Sequence, residues 1–369
     1  MRRALISFSI VLLISGPIAG IEPGDSTLKT PQVAKLPSLA VGGISFFHNS
    51  EFFNPYTQGA TFPGSHLRTS LFWSPEESVS IAGGVDLRLW SGRNSTASVR
   101  PIFTVRLRLS ESLKLSLGTL EGPDSHRLFD PIYRKEKLYT NFTEEGIRLL
   151  YEEERLWSDT WIDWEKIIFH GDRFREKFTF GQSLVFNTNS SGRSYQVLVP
   201  VQILARHWGG QISDFDERVK THFNMATGAN ITFYRDRADV SVESLLFGFY
   251  NSKPTEGIPL ERGGALWVRG GIASGNFSGK AGLWVSDDFY APRGNMMFSS
   301  ISDYRPEVIR SDRTLLTANF DYRTLSAGGV VELYIGMDLY YDPVERNFNN
   351  AINLHIRLPE RLYKLRRDN

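Results

Sequence analysis

The sequence of 369 residues contains no cysteine. Disulfides, thiolate ligands for a metal ion and a lipid-modified cysteine are therefore excluded. An excess of one charge is also missing, because 42 lysines and arginines stand against 41 acidic residues and the formal net charge is +1. This balance leaves no basic surface of the kind that binds phosphate backbones, so no nucleic acid is expected as a partner.

Long apolar runs are missing beyond the N-terminus, so no transmembrane helix is expected. Residues 1–20 combine Arg2 and Arg3 with the apolar run Ala4–Ile14 and the small pair Ala19-Gly20, which predicts a secretory signal peptide. Residues 21–38 lack periodicity and predict a periplasmic leader. A secreted chain without helical spans can still cross a membrane, but only as a closed barrel.

Apolar and polar side chains alternate strictly in Val79–Leu120, where three predicted strands follow one another. Val79, Ile81 and Val85 share one face of the first strand, because successive strand side chains point to opposite sides. The opposite face carries arginines, which a dry core could not hold without partners. That face therefore meets bulk water outside a sandwich or lines a wet interior.

The same alternation recurs over residues 39–358 and gives about sixteen strands, each near the length that a tilted membrane strand requires. The connections alternate between long and short. Outer-membrane barrels show this alternation, because short turns lie at the periplasmic end and longer loops at the external end. Together with 13% aromatic residues, the pattern predicts an all-β, closed antiparallel transmembrane barrel in the outer membrane.

An apolar outer face places the polar face in the lumen of the predicted barrel. Neighbouring strands then form a basic ladder, and other strands form an acidic wall. Facing walls of opposite sign would create a transverse field that biases ion passage, unless the charges pair locally and brace the wall. The ladder comprises Arg88, Arg100, Arg106, Arg108, Lys114 and Arg148, and the wall comprises Asp159, Asp163, Glu165, Glu332 and Asp338.

In these strand and loop patterns the chain resembles the general, sixteen-stranded porins of Gram-negative outer membranes. The resemblance implies that the third external connection, Glu121–Glu145, folds into the barrel and narrows it; the alternative is a surface loop that covers the mouth. The residues it would place at the constriction are Asp124, His126, Arg127, Asp130 and Arg134. The chain departs from the family at its end, where an aromatic terminus is missing. Pro359 predicts that the last strand stops at Leu358 and that residues 359–369 form a basic tail.

These features predict a porin-like channel for passive diffusion of small polar or anionic solutes, without enzyme activity, cofactor or metal. Expected partners are outer-membrane lipid, the barrel-assembly machinery, periplasmic chaperones and small polar solutes, with a homo-oligomer left open. One alternative is a barrel hydrolase, for which only Ser125-His126 and the corner His207–Gly210 offer fragments, neither with nucleophile, base and orienter together. The other alternative is a secreted glycan-binding β-protein.

Overall fold

The computed structural model describes residues 37–365, apart from 93–96, 142, 189–193, 213–214, 217, 306 and 327–328. The predicted signal peptide, most of the predicted leader and the last four residues of the predicted tail lie outside the described residues. The described part folds into sixteen antiparallel strands that close one barrel. The strands are β1 Ser38–Glu51, β2 Thr61–Glu76, β3 Val79–Trp90, β4 Ala97–Arg108, β5 Leu113–Leu120, β6 Glu144–Glu152, β7 Leu156–Lys166, β8 Glu176–Asn187, β9 Tyr195–Gly209, β10 Lys220–Phe233, β11 Asp239–Asn251, β12 Arg262–Ser274, β13 Phe277–Asp287, β14 Asp312–Leu325, β15 Glu332–Asp342 and β16 Asn347–Lys364.

The two-residue period of the sequence gives each strand one outer and one inner face. In β11, Val242 and Leu246 are 49% and 56% exposed, whereas Glu243 and Leu245 between them are buried. Large apolar side chains are exposed in the same alternating manner on the other strands, as a wall in contact with lipid requires. The predicted assignment of faces follows from this period alone.

The barrel closes where β1 pairs with β16, from Ser38 opposite Lys364 to Glu51 opposite Asn350. Closure satisfies the backbone groups that a free edge strand would leave exposed in lipid. The predicted closed antiparallel barrel of about sixteen strands is therefore confirmed.

Two predicted boundaries are wrong. The last strand does not stop at Leu358 but continues to Lys364. Pro359 lies at a β-bulge, where the pairing of β1 with β16 shifts register between Val41 and Gly43. Because the residues of a bulge are left out of the hydrogen-bond ladder, the strand tolerates a proline there although proline has no backbone N–H. In addition, most of the predicted corner His207–Gly210 is strand, because β9 ends only at Gly209.

The connections between strands alternate in length as predicted, except that the last external connection, residues 343–346, is shorter than the periplasmic connection before it, residues 326–331. The longest ones, residues 121–143 and 288–311, lie at the same end of the barrel as residues 52–60, while the other end has short turns such as 77–78 and 275–276. We call these the external and periplasmic ends, because outer-membrane barrels keep their short turns in the periplasm. The described residues include no helix with the length and apolar character to cross a membrane.

Candidate functional site

Loop 3, residues 121–143, connects β5 to β6 and folds into the barrel. Its residues Phe129 and Ile132 are only 3% and 0% exposed. Gln202 of β9, three strands away from β6, fixes the loop: its Oε1 accepts a hydrogen bond from Phe129 N at 3.0 Å and its Nε2 donates to Arg127 O at 2.8 Å. Of the two alternatives for this loop, the structure therefore has the inward one.

His126 is the centre of the contacts that hold loop 3. Its Nε2 lies 2.6 Å from Glu144 Oε2, its Nδ1 lies 2.8 Å from Asp159 Oδ2, and its ring stacks on Trp161 with centroids 3.6 Å apart. Burial alone would lower the pKa of His126, but the two carboxylates outweigh it and raise that pKa to about 9. At neutral pH both ring nitrogens of His126 therefore carry a proton and donate hydrogen bonds to the two carboxylates, so His126 has no lone pair with which to act as a base.

Both carboxylates that pair with His126 make further hydrogen bonds. Arg148 donates from Nε and Nη2 to Asp159, at 2.8 Å each, and from Nη1 to Glu121 at 2.7 Å. On the other side of His126, the Tyr133 hydroxyl donates to Glu144. These buried, charge-assisted hydrogen bonds fix both ends of loop 3 to β6 and β7.

The second half of loop 3 lies across the seam between β1 and β16. Tyr139 Oη is 3.2 Å from Nδ1 of His355 on β16, and Glu136 Oε1 is 3.6 Å from Nε2 of His48 on β1. Across the seam itself, His48 Nδ1 donates to Asn353 Oδ1 at 2.7 Å. Loop 3 therefore joins the first strand to the last.

Loop 7, residues 288–311, is a second segment that folds inward, and the sequence analysis did not predict this. Arg313 at the start of β14 donates from Nη1 to Met297 O and Ser299 O, at 2.9 and 2.6 Å. Asn295 Nδ2 donates to Asp130 Oδ2 at 2.7 Å and so joins loop 7 to loop 3. The apolar triplet Met296-Met297-Phe298, unusual for an external loop, was the available signal.

An apolar core occupies the lumen between the two loops and the wall of β6–β15. Trp284, Met297 and Leu245 in this core are completely buried. A lumen packed in this way excludes water from that side of the barrel. The core comprises Phe129, Ile132, Leu150, Trp157, Val185, Ala226, Leu245, Phe247, Phe249, Trp267, Trp284, Phe289, Ala291, Met297, Phe298, Leu315 and Tyr340.

A cavity of about 430 Å³ lies beside loop 3, against the strands that flank the seam. It reaches residues near the periplasmic ends of β15 and β16, such as Glu332 and Glu360. Charges of both signs line it side by side, and they do not form two separate walls. Its charged lining residues are Arg68, Arg106, Glu121, Asp124, Arg127, Asp130, Arg134, Lys135, Glu136, Arg148, Asp321, Arg323, Glu332, Asp338, Arg357 and Glu360.

The residues of the predicted basic ladder have different contacts. Arg88 donates to Thr143 Oγ1 at 3.1 Å and Arg100 to the same oxygen at 3.3 Å, so both support the end of loop 3. Arg148 belongs to the His126 contacts described above, and Arg106 lines the cavity.

The other two ladder residues lie near the periplasmic turns and have acidic partners there. Arg108 Nη2 is 3.3 Å from Glu77 Oε2, and Lys114 Nζ is 2.7 Å from Glu152 Oε2. The ladder therefore does not act as one continuous row of like charges, because Arg148, Arg108 and Lys114 have acidic partners at different heights of the barrel.

The residues of the predicted acidic wall divide in the same way. Asp163 and Glu165 accept from Arg293 of loop 7 at 2.9 and 3.2 Å, and Asp159 pairs with His126 and Arg148. These three carboxylates hold the inward loops. The remaining two, Glu332 and Asp338, line the cavity.

The five predicted constriction residues all lie on the inward part of loop 3. Asp124 accepts from Arg357 of β16 at 2.9 Å, and the Arg127 guanidinium lies 4.1 Å from the ring centre of Trp157. Asp130 accepts from Asn295 as described above, and Arg134 is exposed to the cavity. His126 is enclosed by protein and is not among the cavity-lining residues. The described residues contain no group of three His, Asp or Glu side chains that could hold a metal ion.

A closed sixteen-stranded barrel with an apolar outer wall and inward-folded external loops defines an outer-membrane barrel of the porin-like class. Solved structures of the same fold include the anion-selective porin from Comamonas acidovorans, with 9% identity over 88% of this chain and 99% of that one and a TM-score of 0.52. OprD from Pseudomonas aeruginosa has 9% identity over 88% of this chain and 94% of its own, with a TM-score of 0.50. A trimer form of OmpT from Vibrio cholerae also matches, at 11% identity over 87% and 99% of the two chains and a TM-score of 0.47. At such identities the likeness concerns the fold alone, and a homo-oligomer stays a prediction.

The chain belongs to the lipid A 3'-O-deacylase-type family, whose model matches residues 30–365. This is an enzyme family, so the prediction that the protein is not an enzyme is wrong. A comparison with curated protein sequences gives no significant match. The strand pattern indicated the membrane in which the chain folds, and it contained no information about a reaction.

Proposed function

We propose that the protein is an outer-membrane enzyme that hydrolyses an acyl ester of lipid A. The observation that carries this proposal is membership of the lipid A 3'-O-deacylase-type family over the whole barrel, since the family model matches residues 30–365. The packed lumen supports it, because loops 3 and 7 and the apolar core fill space that a wide diffusion channel would leave to water.

The location of the barrel suits such a substrate. Lipid A is a membrane lipid, so its acyl chains lie beside the outer wall of a barrel and not in the aqueous lumen. Exposed apolar side chains such as Leu246 and Phe223 provide that wall with a surface on which acyl chains can lie. The reaction would then take place at the external end, where the ester groups meet the aromatic belt.

The test is hydrolysis of lipid A by the full barrel reconstituted in vesicles that contain lipopolysaccharide. We expect the mass of lipid A to fall by one ester-linked acyl chain with time, and the free fatty acid to appear in equal amount. The matched control is a preparation of identical vesicles without the protein. An unchanged lipid A mass with folded protein would contradict the proposal.

A second candidate is a channel for passive diffusion of small polar or anionic solutes, and the charged cavity of about 430 Å³ favours it. Here Arg106, which lines the cavity, would attract anions. Arg106→Gln should then reduce anion selectivity in planar bilayers at low salt, where screening is weak. Arg108→Gln is the control, because Arg108 is paired with Glu77 near a periplasmic turn. Bilayers that stay non-conducting with the wild-type protein would contradict the channel.

A further inference from the structure

An apolar groove of about 870 Å³ lies on the outer wall of the barrel, across β12–β16. Ala281 of β13 and Ala318 of β14 form its floor, and they are paired in register with each other and with Gly270 of β12. Residues paired on antiparallel strands lie on the same face. This face is the one turned to lipid, because Val268 and Leu283, each two residues from the row, are 41% and 42% exposed.

Larger apolar side chains border this row of small residues on both sides. Leu283 and Leu316, which are paired with each other, border it toward the external end. Phe320 and Ile272 border it toward the periplasmic end, and both are exposed. The small residues therefore lie at the bottom of a groove between two apolar ridges. A rod-shaped apolar group can occupy this groove without displacing atoms of the protein.

The groove descends from the external end of the barrel into the wall. Beyond Ala318, the row continues to Leu339 of β15 and Asn350 of β16. β12, β14 and β16 all begin at the external end, and the row lies eight residues after the start of β12, six after that of β14 and three after that of β16. The cause is the tilt of barrel strands, which makes a row of paired residues oblique to the barrel axis.

The polarity of the row changes along the same course. At its upper end, Asn350 is outward and is paired with Glu51 of β1, which is exposed. Tyr341 and Phe348 line the groove at this end, as expected of aromatic side chains at the level of lipid headgroups. Below them the row is apolar. Polar groups, then an aromatic belt, then an apolar groove follow one another in the order of the parts of a membrane lipid.

Gly270 keeps the lower part of the row open, although the barrel itself does not require a glycine there. A Cβ added to Gly270 would meet no atom within 4 Å, and its φ lies outside the left-handed region. The pairing of β12 with both neighbours runs through Gly270 without a shift of register, so this glycine does not mark a bulge. Glycine weakens a strand, and where it serves neither a bulge nor a bend it often marks the close approach of a ligand.

We propose that this groove binds an acyl chain of lipid A and places the sugar head at the external ends of β15 and β16; the inference rests on the proposed function, whose substrate it positions. The occupant is a lipid because the groove is continuous with the wall that contacts lipid. It is lipid A because the groove opens at the external end, in the leaflet that contains lipopolysaccharide. Chain and groove are both apolar, so the fit is stabilised by van der Waals packing and not by removal of water.

The first experiment maps the contact in vesicles that contain the full barrel and lipid A with a photoreactive diazirine in an acyl chain. Mass spectrometry should find the label on β13 and β14. Gly270→Leu and Ala281→Leu fill the groove and should each lower that labelling about fivefold or more, because a close-packed site has no room for the chain. Gly83→Leu is the matched control, an outward glycine of β3 whose added Cβ would meet only Phe103, at 4.0 Å, and it should keep the wild-type labelling.

The second experiment measures hydrolysis of lipid A by the same variants, after gel mobility with and without heating has shown that they are folded. Gly270→Leu and Ala281→Leu should raise KM about fivefold or more with little change in kcat, because they weaken substrate binding and alter no reacting group. Gly83→Leu should match the wild type in both constants.

The two readouts separate this inference from the proposed function. A diazirine phospholipid that labels β13 and β14 as strongly as lipid A would overturn the inference and leave the proposed function standing. Label that avoids β13 and β14, as when a second barrel covers the groove, would overturn it too. Label on β13 and β14 from lipid A alone, without any hydrolysis, would instead refute the proposed function and leave the groove as a binding site for lipid A.

Discussion

His126 Nε2 lies 2.6 Å from Glu144 Oε2, and both side chains are completely buried inside the barrel. Glu144 is the first residue of β6, so this contact fixes loop 3 at the point where it returns to the wall. A charged pair without access to water is costly to break, because the remaining partner keeps its charge in a poorly solvating environment.

His126→Gln should therefore destabilise the barrel by about 3–5 kcal/mol, the usual cost of removing one partner of a buried pair. His170→Gln is the control, since His170 is exposed in the connection between β7 and β8, and its effect should stay within about 0.5 kcal/mol. Urea unfolding followed by tryptophan fluorescence measures both. Equal free energies of unfolding for the two variants would show that the buried pairing contributes nothing.

The same contact makes the docking of loop 3 dependent on pH. The pKa of His126 is raised from its ordinary value of 6.5 to about 9, so its contribution is complete below pH 6.5 and is lost as the pH rises through 9. The pKa of Tyr133 is raised well above its ordinary value, first by burial and then by Glu144, so Tyr133 keeps its proton in this range. Proteolysis of loop 3 should accelerate from pH 7 to pH 10 in the wild type. In His126→Gln the rate should already be high at pH 7 and change little; a parallel rise in both proteins would assign the effect to another group.

Loop 7 depends in a similar way on Arg313, whose guanidinium donates to two loop carbonyls and lies 3.6 Å from the ring centre of Tyr56. Arg313→Met leaves these carbonyls and Asp342 without their donor and should cost about 3–5 kcal/mol. Arg310→Met removes a partly exposed ion pair with Glu345 and a hydrogen bond to Asp312 O, and should cost at most about 1 kcal/mol. Thermal unfolding in detergent compares them, and similar stabilities would contradict a supporting role for Arg313.

The outer wall gives a third comparison. Leu246 lies near the middle of β11 and is 56% exposed, so Leu246→Arg places a charge in the hydrocarbon layer and should cost about 2–4 kcal/mol. Val344 lies in the external connection before β16 with the same exposed fraction of 56%, and Val344→Arg should cost about 0–1 kcal/mol. The measurement is urea unfolding in lipid vesicles. A small loss at Leu246 would mean that the inner and outer faces are wrongly assigned.

The wall was predictable from sequence because it depends on a local rule. A period of two residues assigns Val242 and Leu246 to lipid and Glu243 to the lumen, whatever the rest of the chain does. The inward position of loop 7 was not predictable in this way. It depends on contacts such as Asn295 with Asp130, between residues far apart in sequence, and no periodicity reports on such contacts.

The prediction of function failed for a related reason. The alternating strands indicate that lipid surrounds the outer wall, but proteins with many different functions have the same kind of wall. The groove on that wall was not predictable either. Gly270, Ala281 and Ala318 lie on three strands, and only the register of β12, β13 and β14 brings them into one row.

The contacts of loop 3 across the seam impose an order on folding. Tyr139 and Glu136 reach partners on β16 and β1, the two ends of the barrel, and these strands meet only when the whole chain has paired. Pairing β1 with β16 brings together the two ends of the barrel sequence. This step has a large entropic cost and comes late in folding. The second half of loop 3 therefore has its complete set of partners only in a closed barrel, and a barrel that stalls before closure exposes Tyr139 and Glu136 to water.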